Sequence, residues 1–132
     1  MAALDTNVLV RFVVQDHATQ GRAAASLMRL AAESGQTLFV PVTVLLELEW
    51  VLRSAFGFDK PAVLQALLRL LGAFELSFQF ESVVEEALSL YERDGADFAD
   101  CLHAALAGQA GEQPLWTFDK AASKVAGAQL LA

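Results

Sequence analysis

Short apolar runs bounded by turn-forming residues alternate with longer helix-patterned segments along the chain, and this alternation limits the folds open to it more than any other feature. Ala2–Asp5 reads as a short buried strand, followed at once by a helix over Thr6–Val14. Ala18–Ser34 is an alanine-rich helix that Gly35 stops. Thr37–Val40 is a second strand ended by Pro41, and Thr43 caps a helix running to about Phe56. Lys60-Pro61 opens a helix to Leu71, with proline in the first turn where its missing N–H costs nothing. Glu75–Phe80 alternates as a strand does, Ser82–Arg93 and Asp97–Leu106 are helical, and Pro114–Phe118 is a strand. A short helix over Lys120–Val125 and a last strand over Gln129–Leu131 close the pattern. Strand and helix in alternation predict an α/β fold, a parallel sheet flanked by helices on both faces.

The 132 residues suffice for one compact domain, 1–132, and are too few for two. Apolar residues make up 55% of them, and the mean hydropathy is +0.42. A small domain has much surface for its volume and does not bury that much apolar material alone, so part of it is expected at an interface. A membrane is not that interface. The stretch Val42–Leu52 is interrupted by Glu47 and Glu49, and no run reaches the ~18–20 residues of a span. The N-terminal run lacks a basic leader and is broken by Asp5, so no signal peptide is expected and the expected location is cytoplasmic. A single cysteine, Cys101, excludes an internal disulfide and a cysteine-rich zinc site. The net charge of −7 argues against binding nucleic acid by bulk attraction.

The acidic residues are placed in a pattern. In open parallel sheets ligands bind beyond the carboxyl ends of the strands. Asp5 ends the first strand and Asp119 follows the Leu115–Phe118 run, so neighbouring parallel strands would bring both to one edge. Each also reads as the cap of the helix that follows it. Glu47 and Glu49 share the apolar helix VTVLLELEWVL. Glu49 has Arg53 four residues on and reads as a paired surface residue. Two positions rotate a helix by about 200°, so Glu47 points the other way, where Thr43, Trp50 and Val51 offer no cation. An inward carboxylate without a partner is costly unless a cation or hydrogen bonds meet it; the other reading of Glu47 is a solvated side chain. Asp97 and Asp100 open DFADCLHAAL on one helical face, with His103 a turn further along. Asp97 reads equally as a helix cap, and His103 as a packed, hydrogen-bonded residue.

Carboxylates do not crowd for stability, because like charges cost energy and raise one another's pKa. Hard divalent cations are the usual reason. Mg2+ takes oxygen ligands and keeps several waters; it can polarise a phosphoryl oxygen and supply hydroxide for in-line attack. No glycine-rich loop precedes a Lys-Ser or Lys-Thr pair, which excludes a P-loop NTPase, and G-x-S-x-G is absent. A receiver-like binding module also uses strand-end acids, Mg2+ and a lysine such as Lys120, but needs neither Glu47 nor the paired acids of DFAD.

DTNVLVR, VLLELEWVL, DFADCLHAA and TFDK, in that order and across nearly the whole chain, resemble PIN-domain ribonucleases, and more narrowly the VapC-type toxins of bacterial toxin–antitoxin pairs. The resemblance implies that Asp5, Glu47, Asp100 and Asp119 are the catalytic metal-binding acids. It implies that Asp97 is a further acid supporting them, and that Thr6, Asn7 and Thr117 are flanking polar residues. It implies an endoribonuclease with Mg2+ or Mn2+ as cofactor, RNA as substrate and a homodimeric state. It also implies a cognate antitoxin that blocks the site and carries the pair to promoter DNA. On this reading much of the negative charge sits in the site and is offset by metal, while Arg11, Lys120 and Lys124 offer local cations for RNA. The apolar excess would serve the dimer and the antitoxin groove, with the Ala62–Leu71 helix as a candidate. The alternative is a catalytically silent protein of this fold that acts through protein or promoter-DNA contacts.

Overall fold

The computed structural model describes residues 2–132, in two compact units, one running to Gln79 and the other Phe80–Ala132. The first contains β1 (Ala2–Ala3), α1 (Thr6–Val14), α2 (Ala18–Ser34), β2 (Leu38–Val40), α3 (Val42–Ser54), α4 (Lys60–Leu71) and β3 (Leu76–Phe78). The second contains α5 (Glu81–Arg93), α6 (Phe98–Ala110), β4 (Leu115–Thr117), a 3-10 turn (Ala122–Lys124) and β5 (Ala128–Leu130). The alternation expected from sequence is present, with six α-helices and parallel strands, and the fold is α/β.

The strands pair in two ladders. β1, β2 and β3 form a three-stranded parallel sheet in that order, and β4 and β5 form a parallel pair. β1 and β4 are therefore not ladder neighbours, as the strand-edge reading of Asp5 and Asp119 required. β4 pairs along one edge with the β5 segment, where Leu115 N–H donates to Gly127 O at 2.8 Å and Leu131 N–H to Thr117 O at 2.8 Å. Within the first sheet, Leu38, Val40, Leu76 and Phe78 are buried, and the register places Leu38 beside Leu76 and Val40 beside Phe78. Parallel partners point to the same face, so these four form one apolar layer.

Local chemistry sets the helix ends. Asp59 caps α4, its Oδ1 accepting from Ala62 N at 2.9 Å, and Pro61 follows in the first turn. Gly35 ends α2 at φ +70°, a left-handed conformation that glycine adopts without a Cβ clash. α3 starts earlier than expected: Pro41, not Thr43, is its N-cap. Proline offers no side-chain acceptor, and Gln79, just past β3, supplies one by accepting from Val42 N at 2.9 Å. The remaining boundary corrections are small. α3 ends at Ser54 rather than near Phe56, α5 begins at Glu81, and α6 runs on to Ala110 instead of stopping at Leu106. β3 is shorter than Glu75–Phe80, the Lys120–Val125 helix is a three-residue 3-10 turn, and β5 lies one residue earlier than expected.

Packing follows the apolar stripes. In the first unit α1 packs on α2 and α3, and α3 on α4. In the second, α5 packs on α6, where Tyr91 and Phe98 meet with ring centroids 5.6 Å apart and planes tilted by 58°. Such a tilted pair adds about 0.5–1.5 kcal/mol beyond area burial. Among the described residues no helix is long and apolar enough to cross a membrane. Large apolar side chains nevertheless remain exposed, among them Trp50, Phe74, Trp116 and Phe118.

The orientation of α3 corrects the reading of its two glutamates. Leu45, Leu48 and Leu52 are at most 1% exposed and define the buried stripe. Glu49 lies on that stripe, one turn from Leu45, and is itself 1% exposed. Its pairing with Arg53 is as expected, through Arg53 Nε and Nη2 at 2.5 and 3.1 Å, but it is a buried carboxylate and not a surface one. Glu47, on the opposite side, is exposed rather than inward-facing. Removing one partner of a buried pair leaves an uncompensated charge. Arg53→Met is expected to lower stability by roughly 2–3 kcal/mol, and adding Glu49→Leu to recover most of the loss. Urea unfolding of the three proteins checks this; equal midpoints for wild type and Arg53→Met would show that the pair carries no weight.

Candidate active-site carboxylates

Each unit gathers part of the predicted acidic set. In the first unit the cluster is built around Thr6. Asp5 is the N-cap of α1, in extended backbone conformation, and its Oδ1 accepts from Thr6 N at 2.7 Å. The Thr6 hydroxyl, on a residue only 4% exposed, donates to Glu47 Oε1. One threonine thus ties two carboxylates from segments 41 residues apart. Both acids remain exposed, so each keeps an open oxygen edge toward solvent. The capping reading of Asp5 holds, and it leaves room for a second role, because a carboxylate that gives one lone pair to a cap has others to offer. Asn7, the next residue of α1, is exposed.

In the second unit the cluster is Asp97, Asp100 and Asp119. Asp97 is the N-cap of α6 and Asp100 lies in its first turn, three residues on. Burial pushes the Asp100 carboxyl above its ordinary value of 3.8, and the negative charges of Asp119 and Asp97 push it the same way. The charge of His103 and a backbone hydrogen bond from Asp97 oppose the shift. The Asp97 side chain makes no capping hydrogen bond of its own. His103 is exposed, not packed as the bland reading of it held. Asp119 follows β4. Its N–H donates to Thr117 Oγ1 at 3.0 Å, and its Oδ1 accepts from Ala122 N at 3.0 Å. Thr117 therefore positions Asp119.

Three acids that raise the proton affinity of one of their number are a set in need of positive charge. The donor chemistry, carboxylate oxygens that remain partly open, suits a hard divalent cation with retained waters. Among the described residues no three His, Cys, Asp or Glu side chains are grouped so as to hold a metal ion by themselves. Mg2+ does not require such a group, being bound through one or two carboxylates plus water and substrate phosphate.

Sequence reading found these acids and missed what holds them. The Thr6–Glu47 hydrogen bond and the support of Asp119 by the Thr117 hydroxyl were not foreseen. The second had a visible signal, a threonine two positions before the acid; the first had none beyond the adjacency of Thr6 to Asp5.

A parallel α/β fold with acids at the helix starts after its strands defines a class, and the chain matches the PIN domain over residues 2–128. It belongs to the PIN-domain family. It is similar to the VapC ribonuclease of Aquifex aeolicus (strain VF5), at 23% identity over 125 residues that cover 95% of this chain and 92% of that protein.

The raised Asp100 carboxyl gives a signed expectation. A carboxyl whose folded pKa exceeds its unfolded value destabilises the fold when ionised, and the penalty disappears as pH falls through the folded pKa. Asp100→Asn should therefore raise the Tm of the metal-free protein at pH 7, and the difference should shrink at acid pH. Thermal unfolding in chelator at several pH values measures it; a Tm lowered at neutral pH would mean that crowding at Asp100 is not the dominant effect.

Proposed function

We propose that this protein is a metal-dependent endoribonuclease, acting as the toxin of a toxin–antitoxin pair. The observation that carries the reading is the match to the PIN family across the chain, together with an acidic set in which burial first, and the charges of Asp119 and Asp97 after it, disfavour an ionised Asp100, a burden that a divalent cation would relieve. The name of the Aquifex relative, VapC ribonuclease, supports RNA as the substrate. Asp5, Glu47, Asp100 and Asp119 would hold Mg2+ or Mn2+, with Asp97 supporting Asp100. The ion would supply an activated water and neutralise charge on the phosphate under attack.

The chain's own residues have definite tasks in that scheme. Thr6 holds Glu47 in place by donating its hydroxyl proton, and its N–H fixes the rotamer of Asp5. Thr117 accepts from the Asp119 backbone and sets the turn from which that carboxylate projects. No side chain is needed as a histidine general base. Exposed acids would also receive an arginine of an antitoxin by charge-assisted hydrogen bonds. The exposed apolar side chains suit a homodimer and the antitoxin contact. DNA would be reached only through the antitoxin complex.

Cleavage of a mixed transfer and ribosomal RNA pool by purified, antitoxin-free protein tests the proposal. Cutting is expected with Mg2+ or Mn2+ and not with chelator. Asp5→Ala and Asp100→Ala should each lower the rate by roughly 100-fold or more, the scale on which loss of charge stabilisation acts. Glu47→Gln should lose activity without losing stability. Cleavage that persists in chelator, or in both aspartate variants, would overturn the assignment.

A further inference from the structure

A second feature of α1 lies beside the Asp5–Thr6–Glu47 cluster. Between α1 and α2 is a cavity of about 300 Å3 lined by Asn7, Val8, Arg11, Gln20, Ala24 and Leu27 among others. That volume is at the lower end of the range for small-ligand pockets, about 300–1,000 Å3. Val8, Ala24 and Leu27 give it apolar walls, and Asn7, Arg11 and Gln20 give it polar groups at chosen points.

The guanidinium is fixed in advance. Arg11 Nε donates to Gln20 Oε1 at 2.7 Å and Nη1 to Asp16 Oδ1 at 3.2 Å. Nη2 has no protein partner among the described residues. Asn7 lies one helical turn earlier on the same face, about 6 Å along the axis, exposed and with no partner for its amide among the described residues. A held cation with a spare donor, a free carboxamide and an apolar wall together match one chemical unit: a flat base with a polar edge, joined to a phosphate.

We propose that this pocket holds one unstacked nucleotide of single-stranded RNA, with its base edge on Asn7 and its phosphate on Arg11. The proposal rests on the ribonuclease reading above. Asn7 directly follows Thr6, so a nucleotide seated here is delivered next to the carboxylates of the first unit. A pocket for one nucleotide admits a base only when it is out of a stack, which selects loops and single strands over duplex. The charge balance points the same way. With a net charge of −7 the protein does not gather RNA by bulk attraction, so binding must come from a few positioned contacts. A basic peptide is disfavoured in the same place, because its cation would face Arg11.

The test has two arms, using Asn7→Ala and Arg11→Gln in the full chain. In steady-state cleavage of single-stranded RNA, each variant should raise KM about tenfold, equivalent to ~1.4 kcal/mol, and leave kcat within about threefold. Asn7→Ala should also relax nucleotide preference at one position, as loss of a base-edge contact does, and Arg11→Gln should not. An unchanged KM in both variants overturns the pocket. The second arm is fluorescence anisotropy of a labelled single-stranded hexanucleotide, with Mg2+, on Asp100→Asn protein. There Arg11→Gln should weaken binding about tenfold and reduce the salt slope by about 0.7, the share of one phosphate on a single strand. If wild type cuts no RNA, the ribonuclease reading fails by itself and this arm alone decides the pocket. Undetectable binding, or binding indifferent to both substitutions, overturns it. Should Arg11→Gln unfold the protein, the exposed Asn7→Ala and Asn7→Asp variants carry the same comparison, with the carboxylate expected to bind more weakly than alanine.

Discussion

The rotation of α3 about its own axis decides much of the first unit. Leu45, Leu48 and Leu52 must face inward, and the helix can satisfy them only by taking Glu49 in with them. A buried carboxylate of that kind is tolerable because Arg53, one turn on, reaches it with two nitrogens while keeping part of its own side chain in solvent. The same rotation turns Glu47 out, where the Thr6 hydroxyl meets it. A buried, ion-paired acid and an exposed one two residues apart are thus separated by the leucine stripe, not by anything intrinsic to either.

In the second unit the governing influence is the burial of a carboxyl among like charges. Burial of Asp100 and, after it, the charges of Asp119 and Asp97 oppose its ionisation, while Thr117 and the backbone of Ala122 hold Asp119. Local backbone demands account for Asp119, through its turn, and not for Asp97, whose side chain makes no cap hydrogen bond. They do not account for placing all three within reach of one another. A bound divalent cation would offset that cost, which would link the stability of this unit to the chemistry proposed for it.

An acidic protein acting on RNA must solve an electrostatic problem, since its overall field repels the substrate. Two devices bear on it here. A cation bound by the carboxylates would reverse the local sign at the point of reaction. A few held side chains, of which Arg11 is the best organised, would replace a broad basic surface. Binding of this kind depends on geometry and less on ionic strength, and it favours selective recognition over general affinity.

The alternation of strands and helices, the helix cap at Asp5, the stop at Gly35 and the ordered acidic motifs were legible in the sequence, because each depends on residues within a few positions of one another. The family was legible for the same reason, as a series of short local patterns in a given order. What tertiary structure decided was everything that depends on which face meets a core or which strand meets which. It buried Glu49 and exposed Glu47, because a 200° separation says that two residues oppose each other but not which one is inside. It gave the N-terminus of α3 a cap from Gln79, 37 residues away, where the local sequence suggested Thr43. It paired β4 with β5 instead of with β1, since two- and three-residue strands carry too little pattern of their own to specify a neighbour.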